Sequence, residues 1–228
     1  SILFSIRKSN IICIIFLYIY TKIEQRSIKQ LISAHLLCII EIKSGKEAEQ
    51  SLKESILVID TGSSSMRGIL FDLSGNILYA KRIPYTMAVD QDGSAVMDAL
   101  FFRNCLVTIC SSTAEEIKLH GYTLLAISLD SQRSSVLAVD AQIRPLYPIL
   151  MWYDKRCASI CNEFSDETLQ QIYLTCGMRL TPVSSAPKIL WLKRNHPDIY
   201  EKAYKLIGIH DYLLYTLTKQ LVTDASCA

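Results

Sequence analysis

Between Ser55 and Tyr85 the chain reads ILVID, TGSS, MRGILFD, SGN and NILYAKRIPY, in which runs of β-branched and aromatic residues alternate with turn residues. The connections are too short to carry a chain back to the same end of a sheet, so consecutive runs can only pair antiparallel. A three-stranded meander is therefore the element around which the remainder must be arranged. Ser74-Gly75-Asn76 supplies its second turn, and Thr61-Gly62-Ser63-Ser64 its first.

The periodicity then changes. From Asp98 to Leu119 the residues Leu106, Cys110, Thr113 and Ile117 recur at helical spacing, with Asp98 placed to cap the start and Gly121 just past the end. LLAISLD and SVLAVD alternate like strands on either side of a turn at Ser131 to Ser134. Helices are expected over Asp154 to Phe164, Asp166 to Thr175, Lys188 to Arg194 and Asp211 to Thr218. Strands first and helices after give an α/β domain: a mixed sheet that starts with an antiparallel three-stranded meander and is flanked by helices. That is the order of ribonuclease H-like, actin-like ATPase folds.

Residues 1–54 are a different kind of sequence, an atypical extension before the domain at 55–228. Ser1 to Glu49 hold almost no Gly or Pro and no clean amphipathic period. The apolar run Ile11 to Tyr20 is short for a membrane span, and Thr21 to Arg26 places polar and charged residues where a signal-peptide cleavage site needs small ones. With no Met before Met66, the segment reads as upstream DNA translated in frame, and the protein's start is expected near Leu52 or Lys53.

Composition excludes more than it selects. The 228 residues carry 24 basic and 22 acidic side chains, a formal charge of +2, so no basic face points to nucleic acid or an anionic membrane. Eight cysteines without a CxxC pair fit a reduced, cytoplasmic chain, and Cys157 and Cys161, one helical turn apart, are read as small packing residues.

Four short motifs could carry chemistry. In Asp60-Thr61-Gly62-Ser63-Ser64-Ser65-Met66-Arg67, a tight turn offers successive N–H groups and hydroxyls to an anion, Arg67 can meet phosphate, and Asp60 at a strand end can hold a metal directly or through water. The same residues also fit a serine-rich hairpin capped by an acid. A third reading is one lobe of an aspartic protease, whose chemistry needs a second such acid; the sequence holds no second copy. Gln132 and Arg133 at a strand end can hydrogen-bond vicinal hydroxyls or a phosphoryl group, or form a solvated turn. Trp152 and Asp154 together suit a sugar, through its C–H face and its hydroxyls, but a Trp there also suits a core. Asp224, after an extended segment, could take a proton from a substrate hydroxyl, or cap a following helix.

Taken in order, these segments resemble the N-terminal domain of the FGGY carbohydrate kinases over nearly all of Ser55 to Ala228. IDTGSSSMRGILFDLSGNIL resembles that family's opening Asp-x-Gly-Thr-x-Ser-x-Arg pattern, with Ser63 where Thr is usual. SLDSQRSS, MWYDKR, SAPKILWLKRNHP, HDYLLYTLT and VTDASCA follow in register. The resemblance implies ATP-dependent phosphorylation of a sugar or polyol with Mg2+. It implies that Thr61, Gly62, Ser63, Ser64 and Arg67 face the phosphates and Asp60 the metal. Gln132, Arg133, Trp152, Asp154 and Asp224 would line the substrate pocket, with Asp224 as the catalytic base. Ser134 and Val183 depart from glycerol kinases, which carry Glu and an aromatic there, and so point to another substrate. A second, nucleotide-binding domain would follow Ala228, and the chain without it is expected to be inactive and to expose apolar surface that favours a homodimer. A non-catalytic sugar sensor on the same half-fold is the alternative from another functional class.

Overall fold

A computed structural model of the chain describes residues 12–14 in their backbone course, and 54–86 and 88–223 throughout. It divides into two compact units. The first comprises residues up to Thr61, Ser65–Pro84 and Leu106–Asp130; the second comprises Gly62–Ser64, Tyr85–Cys105 and the chain from Ser131 on.

In the first unit the meander forms as expected: β2 (Glu54–Thr61), β3 (Ser65–Asp72) and β4 (Ile77–Pro84) pair antiparallel in sequence order. Along β2, buried positions alternate with half-buried ones. Leu57, Ile59, Met66 and Leu70 form the core side and are almost completely buried. The β3–β4 turn is fixed by Asp72, whose carboxylate accepts from the backbone N–H and the side-chain amide of Asn76, both at 2.8 Å. Gly75 takes the left-handed φ of 82° that this turn requires.

Helix α1 (Ala99–His120) follows the expected span to within a residue at each end. Asp98 Oδ1 caps it by accepting from Leu100 N at 2.9 Å. At the other end Gly121 adopts φ 67° and Tyr122 N donates to Ile117 O, so the last turn's carbonyls are satisfied. Gly68 is where Ile109 of this helix meets the sheet, since a Cβ there would overlap Ile109 Cγ2. β6 (Thr123–Ser131) joins the sheet beside β2, and β1 (Ile12–Ile14) pairs with β6 in parallel, giving the order β1-β6-β2-β3-β4.

The second unit is assembled from shorter pieces. β5 (Val96–Met97) pairs with β8 (Ile149–Leu150), and β7 (Leu137–Val139) pairs with β9 (Lys205–Ile207), both antiparallel. The helices are α2 (Ala158–Cys161), α3 (Asp166–Cys176), α4 (Ser185–Asn195), α5 (Pro197–Lys202) and α6 (Ile209–Thr218). Val136, Ala138, Leu150 and Leu192 form its buried cluster, with Tyr147, Ile189, Trp191 and Leu206 packed around them.

Here the sequence expectations need correction. The helix expected over Asp154 to Phe164 is reduced to the single turn α2, because the Asp154 carboxylate accepts from Arg156 N two residues on and closes a local turn that competes with the helix. α4 begins three residues before Lys188, since Pro187 in a first turn forfeits no helical hydrogen bond. α6 likewise begins at Ile209, with Asp211 reaching back to accept from Gly208 N at 2.9 Å. Strands β5, β8 and β9 and helix α5 were not expected. Cys157 is fully buried with its thiol donating to Pro182 O at 3.5 Å, a packing position.

Candidate active site

The register of the first hairpin places Asp60 directly opposite Arg67, and their side chains meet at 2.7 Å between Oδ2 and Nη2. The two most distinctive polar residues of the opening motif thus address each other, at the half-exposed end of the sheet. This arrangement gives Asp60 a guanidinium partner where an aspartic protease lobe would present it to a second carboxylate. Thr61, one residue on, is fully buried on the core side. The hydroxyls the hairpin offers outward are therefore those of Ser63 and Ser64, both exposed.

The loop Gly62–Ser64 is tied down within the second unit. Tyr85 Oη donates to Gly62 O at 2.7 Å, and Tyr85 N donates to Ser64 O at 3.0 Å. The Tyr85 ring is itself set edge-on against Phe101 and Phe102, with centroids 5.5 Å away in each case. Trp152 Nε1 donates to Ser63 Oγ at 3.2 Å, so the indole and the serine-rich loop come together. Sequence reasoning passed over Tyr85; its only signal was a tyrosine directly after the proline that ends a strand.

Asp154 has a different surrounding from the one its motif suggests. Its side chain is 0% exposed. Oδ2 accepts from Ala95 N at 2.9 Å, and both oxygens accept from Arg156 Nε at 2.9 to 3.0 Å. Arg156 Nη2 adds a contact of 2.8 Å, and the guanidinium lies 4.7 Å over the Trp191 ring. This carboxylate is saturated by the protein and braces the segment that carries Trp152. Arg156, unassigned in the sequence reading, is its partner.

Gln132 has a buried amide, neither Nε2 nor Oε1 of which meets a hydrogen-bond partner among the described residues. Buried amides are normally paired, with protein or with water. Arg133 beside it is exposed, and Ser134 adopts φ 64°. Asp224 lies outside the described residues.

Lys188 is a further polar residue that the sequence did not single out by role. It is 1% exposed, and its ammonium donates to the carbonyls of Pro182, Val183 and Ser184 at 2.9, 2.7 and 3.1 Å. Burial pushes its pKa down to about 8, opposed by the nearby Cys157, Asp154 and Cys161. Val183, which this lysine holds by its carbonyl, is 39% exposed.

For a magnesium ion the donor set fits in a limited sense. Among the described residues no three acidic, His or Cys side chains converge on a metal position. Mg2+ characteristically uses one or two carboxylates, keeps several waters and completes its shell from substrate phosphates. Asp60 is the carboxylate of the opening motif, and here Arg67 engages it at 2.7 Å.

Residues 55–228 match the model of the N-terminal domain of the FGGY family of carbohydrate kinases. The chain belongs to this family. Among its relatives, a xylulose kinase of Lactococcus lactis is 31% identical over 174 residues, which is 76% of this chain and 34% of the relative. A glycerol kinase of Alcanivorax borkumensis is 30% identical over 181 residues, again 76% of this chain and 36% of the relative. Of solved structures, a gluconate kinase from Lactobacillus acidophilus superposes with a TM-score of 0.71 at 27% identity, over 76% of this chain and 35% of that one. This FGGY chain therefore has the actin-like fold expected of it, and it spans about a third of the length of the relatives it matches. Among the described residues no helix is long and apolar enough to cross a membrane.

Proposed function

We propose that this chain is the substrate-side part of a kinase that transfers the γ-phosphoryl group of ATP to a hydroxyl of a sugar, polyol or sugar acid. The observation that carries the reading is the family match over 55–228, together with a serine-rich hairpin loop hydrogen-bonded to Trp152. In this reading the N–H groups of Gly62 to Ser64, the hydroxyls of Ser63 and Ser64 and the Arg67 guanidinium receive phosphate oxygens. Mg2+, accompanying ATP, would be held through Asp60 and water and would neutralise phosphate charge.

The acceptor lies on the face of Trp152, with Gln132 and Arg133 on its hydroxyls. Asp154, taken up by Ala95 N and Arg156, does not meet substrate in this reading. A base takes the proton from the attacking hydroxyl, its oxygen bonds to Pγ, the bond from Pγ to the bridging oxygen breaks, and ADP leaves. Asp224 is the residue of this chain offered for that base. The relatives carry the names xylulose, glycerol and gluconate kinase, which agree on a small polyhydroxylated acceptor and differ on its identity. Ser134 and Val183 favour an acceptor other than glycerol.

The test is ATP-dependent phosphorylation by the full-length protein across ketoses, aldoses, polyols and aldonic acids. Turnover on one of them, lost in Arg67→Met and weakened through KM in Trp152→Ala, is expected. Failure on every acceptor, with the protein folded and ATP bound, would overturn the reading. Asp224→Asn decides the base separately: a loss of a thousandfold or more, about the scale of a missing proton acceptor plus its charge, assigns it, and near-normal turnover removes Asp224 from the mechanism.

A further inference from the structure

Three charged residues stand in one line across the meander. The β2–β3 register sets Asp60 opposite Arg67, and the β3–β4 register sets Arg67 opposite Arg82. Residues directly opposite on neighbouring strands share a face, with Cβ atoms about 5 Å apart. The line therefore reads acid, base, base, on the face turned away from α1, because Gly68, the next residue of β3, is the one where a Cβ would strike Ile109 of that helix. All three residues belong to the first unit. Both arginines stand two residues in from the same end of their strands, where Ser65 pairs with Pro84 and where Gly62 to Ser64 turn the chain.

Like charges set directly opposite destabilise a sheet. Arg67 is answered by Asp60 at 2.7 Å. Arg82 is exposed and, among the described residues, has no acidic partner. An edge strand can use charge to repel a further strand, and β4 ends the strand order. Lys81 would serve that purpose equally well, from the other face, opposite Gly68. What Arg82 adds and Lys81 does not is positive charge beside Arg67. The Asp60–Arg67 pair alone is neutral and attracts an anion weakly. One acid against two bases leaves the line net positive, with a second guanidinium whose planar donors suit phosphate oxygens.

We propose that Arg82 is a second phosphate-binding arginine, which joins Arg67 in holding the phosphate chain of the nucleotide. The inference rests on the functional reading above, in which this hairpin faces ATP, and deepens it. Asp60 can stay engaged with Arg67 because Arg82 supplies the net charge that Asp60 cancels.

The experiment is calorimetric titration of the full-length protein with tripolyphosphate in metal-free buffer, at low and high salt, alongside thermal unfolding. Arg82→Gln should weaken Kd about tenfold, the scale of one charge-assisted contact, and make binding less dependent on salt. The same variant should unfold no earlier than the parent, since it relieves a like-charge pair, so its lost affinity is not a folding defect. Arg82→Lys, which keeps the charge and not the planar fork, should fall between the two. Lys81→Gln removes the same charge from the opposite face and should leave Kd close to the parent's. Arg67→Met separates the outcomes. If it abolishes binding while Arg82→Gln leaves Kd unchanged, or if Lys81→Gln weakens Kd as much as Arg82→Gln does, this inference is overturned and the functional reading stands. If neither Arg67→Met nor Arg82→Gln changes Kd, phosphate does not bind at this hairpin, and both are overturned.

Discussion

Asp60 and Arg67 meet at 2.7 Å with 31% and 41% of their side chains exposed, and Asp154 and Arg156 meet at 2.8 Å with 0% and 14% exposed. The first pair sits in a unit whose core is a continuous mixed sheet with a long helix laid on it. Removing the pair would leave the Leu57, Ile59, Met66 and Leu70 core intact. The second pair sits in a unit of two- and three-residue strands and short helices, where Asp154 accepts from Arg156 two residues on and from Ala95 N, 59 residues distant in sequence. The same two side-chain types therefore stand partly open to solvent in one unit and act as internal bracing in the other. Burial and regular secondary structure, not residue type, decide which.

The largest effect that would break this contrast is at Asp154. Asp154→Ala leaves a buried guanidinium and the Ala95 N–H without their acceptor, and deletion of one partner of a buried pair costs about 3–5 kcal/mol. Urea unfolding should show that loss, with little dependence on salt because the carboxylate is out of solvent. A cost under 1 kcal/mol would mean that the second unit does not rely on this carboxylate.

The corresponding break in the first unit is one of volume. Gly68→Ala drives a Cβ into Ile109 Cγ2 and should cost about 1–3 kcal/mol, as overpacking of a close-packed interior does. Ile109→Ala made on top of it should recover part of that loss, a coupling visible in a double-mutant cycle. No change of size can compensate Asp154→Ala in the same way, since what is missing there is an acceptor.

How far each unit could be read from sequence follows the same division. The meander was legible because its strands are consecutive, its turns carry Gly75 and Gly62, and its burial alternates with period two. Helix α1 was legible because Asp98 and Gly121 mark its ends. In the second unit β5 pairs with β8 and β7 with β9 across more than fifty residues, and strands of two or three residues carry no detectable period. The site divided likewise. Asp60, Ser63, Arg67, Gln132 and Trp152 stand out as chemistry in short motifs. Tyr85, Arg156 and Lys188 act by holding Gly62, Asp154 and the carbonyls of Pro182 to Ser184 in place, through contacts 2 to 23 residues distant in sequence, and no local pattern announces that.

Lys188 sharpens the contrast through pH. Burial lowers its pKa from 10.5 to about 8, so between those values the unfolded chain holds a proton that the folded chain has released. Stability rises with pH wherever the unfolded state binds more protons, so the contribution of Lys188 should grow from about pH 8 to 10.5. The check is the difference in unfolding free energy between the parent and Lys188→Met, followed across that window, with the lysine titration read directly by NMR. A difference that stays flat, with Lys188 titrating above pH 10, would show that the three carbonyls at 2.7 to 3.1 Å outweigh desolvation.

The smallest effect on stability is expected at Asp60, and it is the one that bears most on function. Its pair with Arg67 is open to water, and exposed pairs contribute about 0–1 kcal/mol, screened further by salt. Asp60→Ala should therefore shift unfolding by no more than that, and less at high ionic strength. Arg67, however, would lose the carboxylate set against it, and among the described residues its guanidinium would stand without an acidic partner at the end of the hairpin. If the pair is there to serve an anion, Asp60→Ala in the full-length protein should tighten binding of metal-free tripolyphosphate while weakening productive use of Mg-ATP, because the charge left behind attracts phosphate but no longer offers a ligand for the metal. Equal loss of both would mean that Asp60 merely orients Arg67, and no change in either would remove the pair from the site and leave it a rim contact of the sheet.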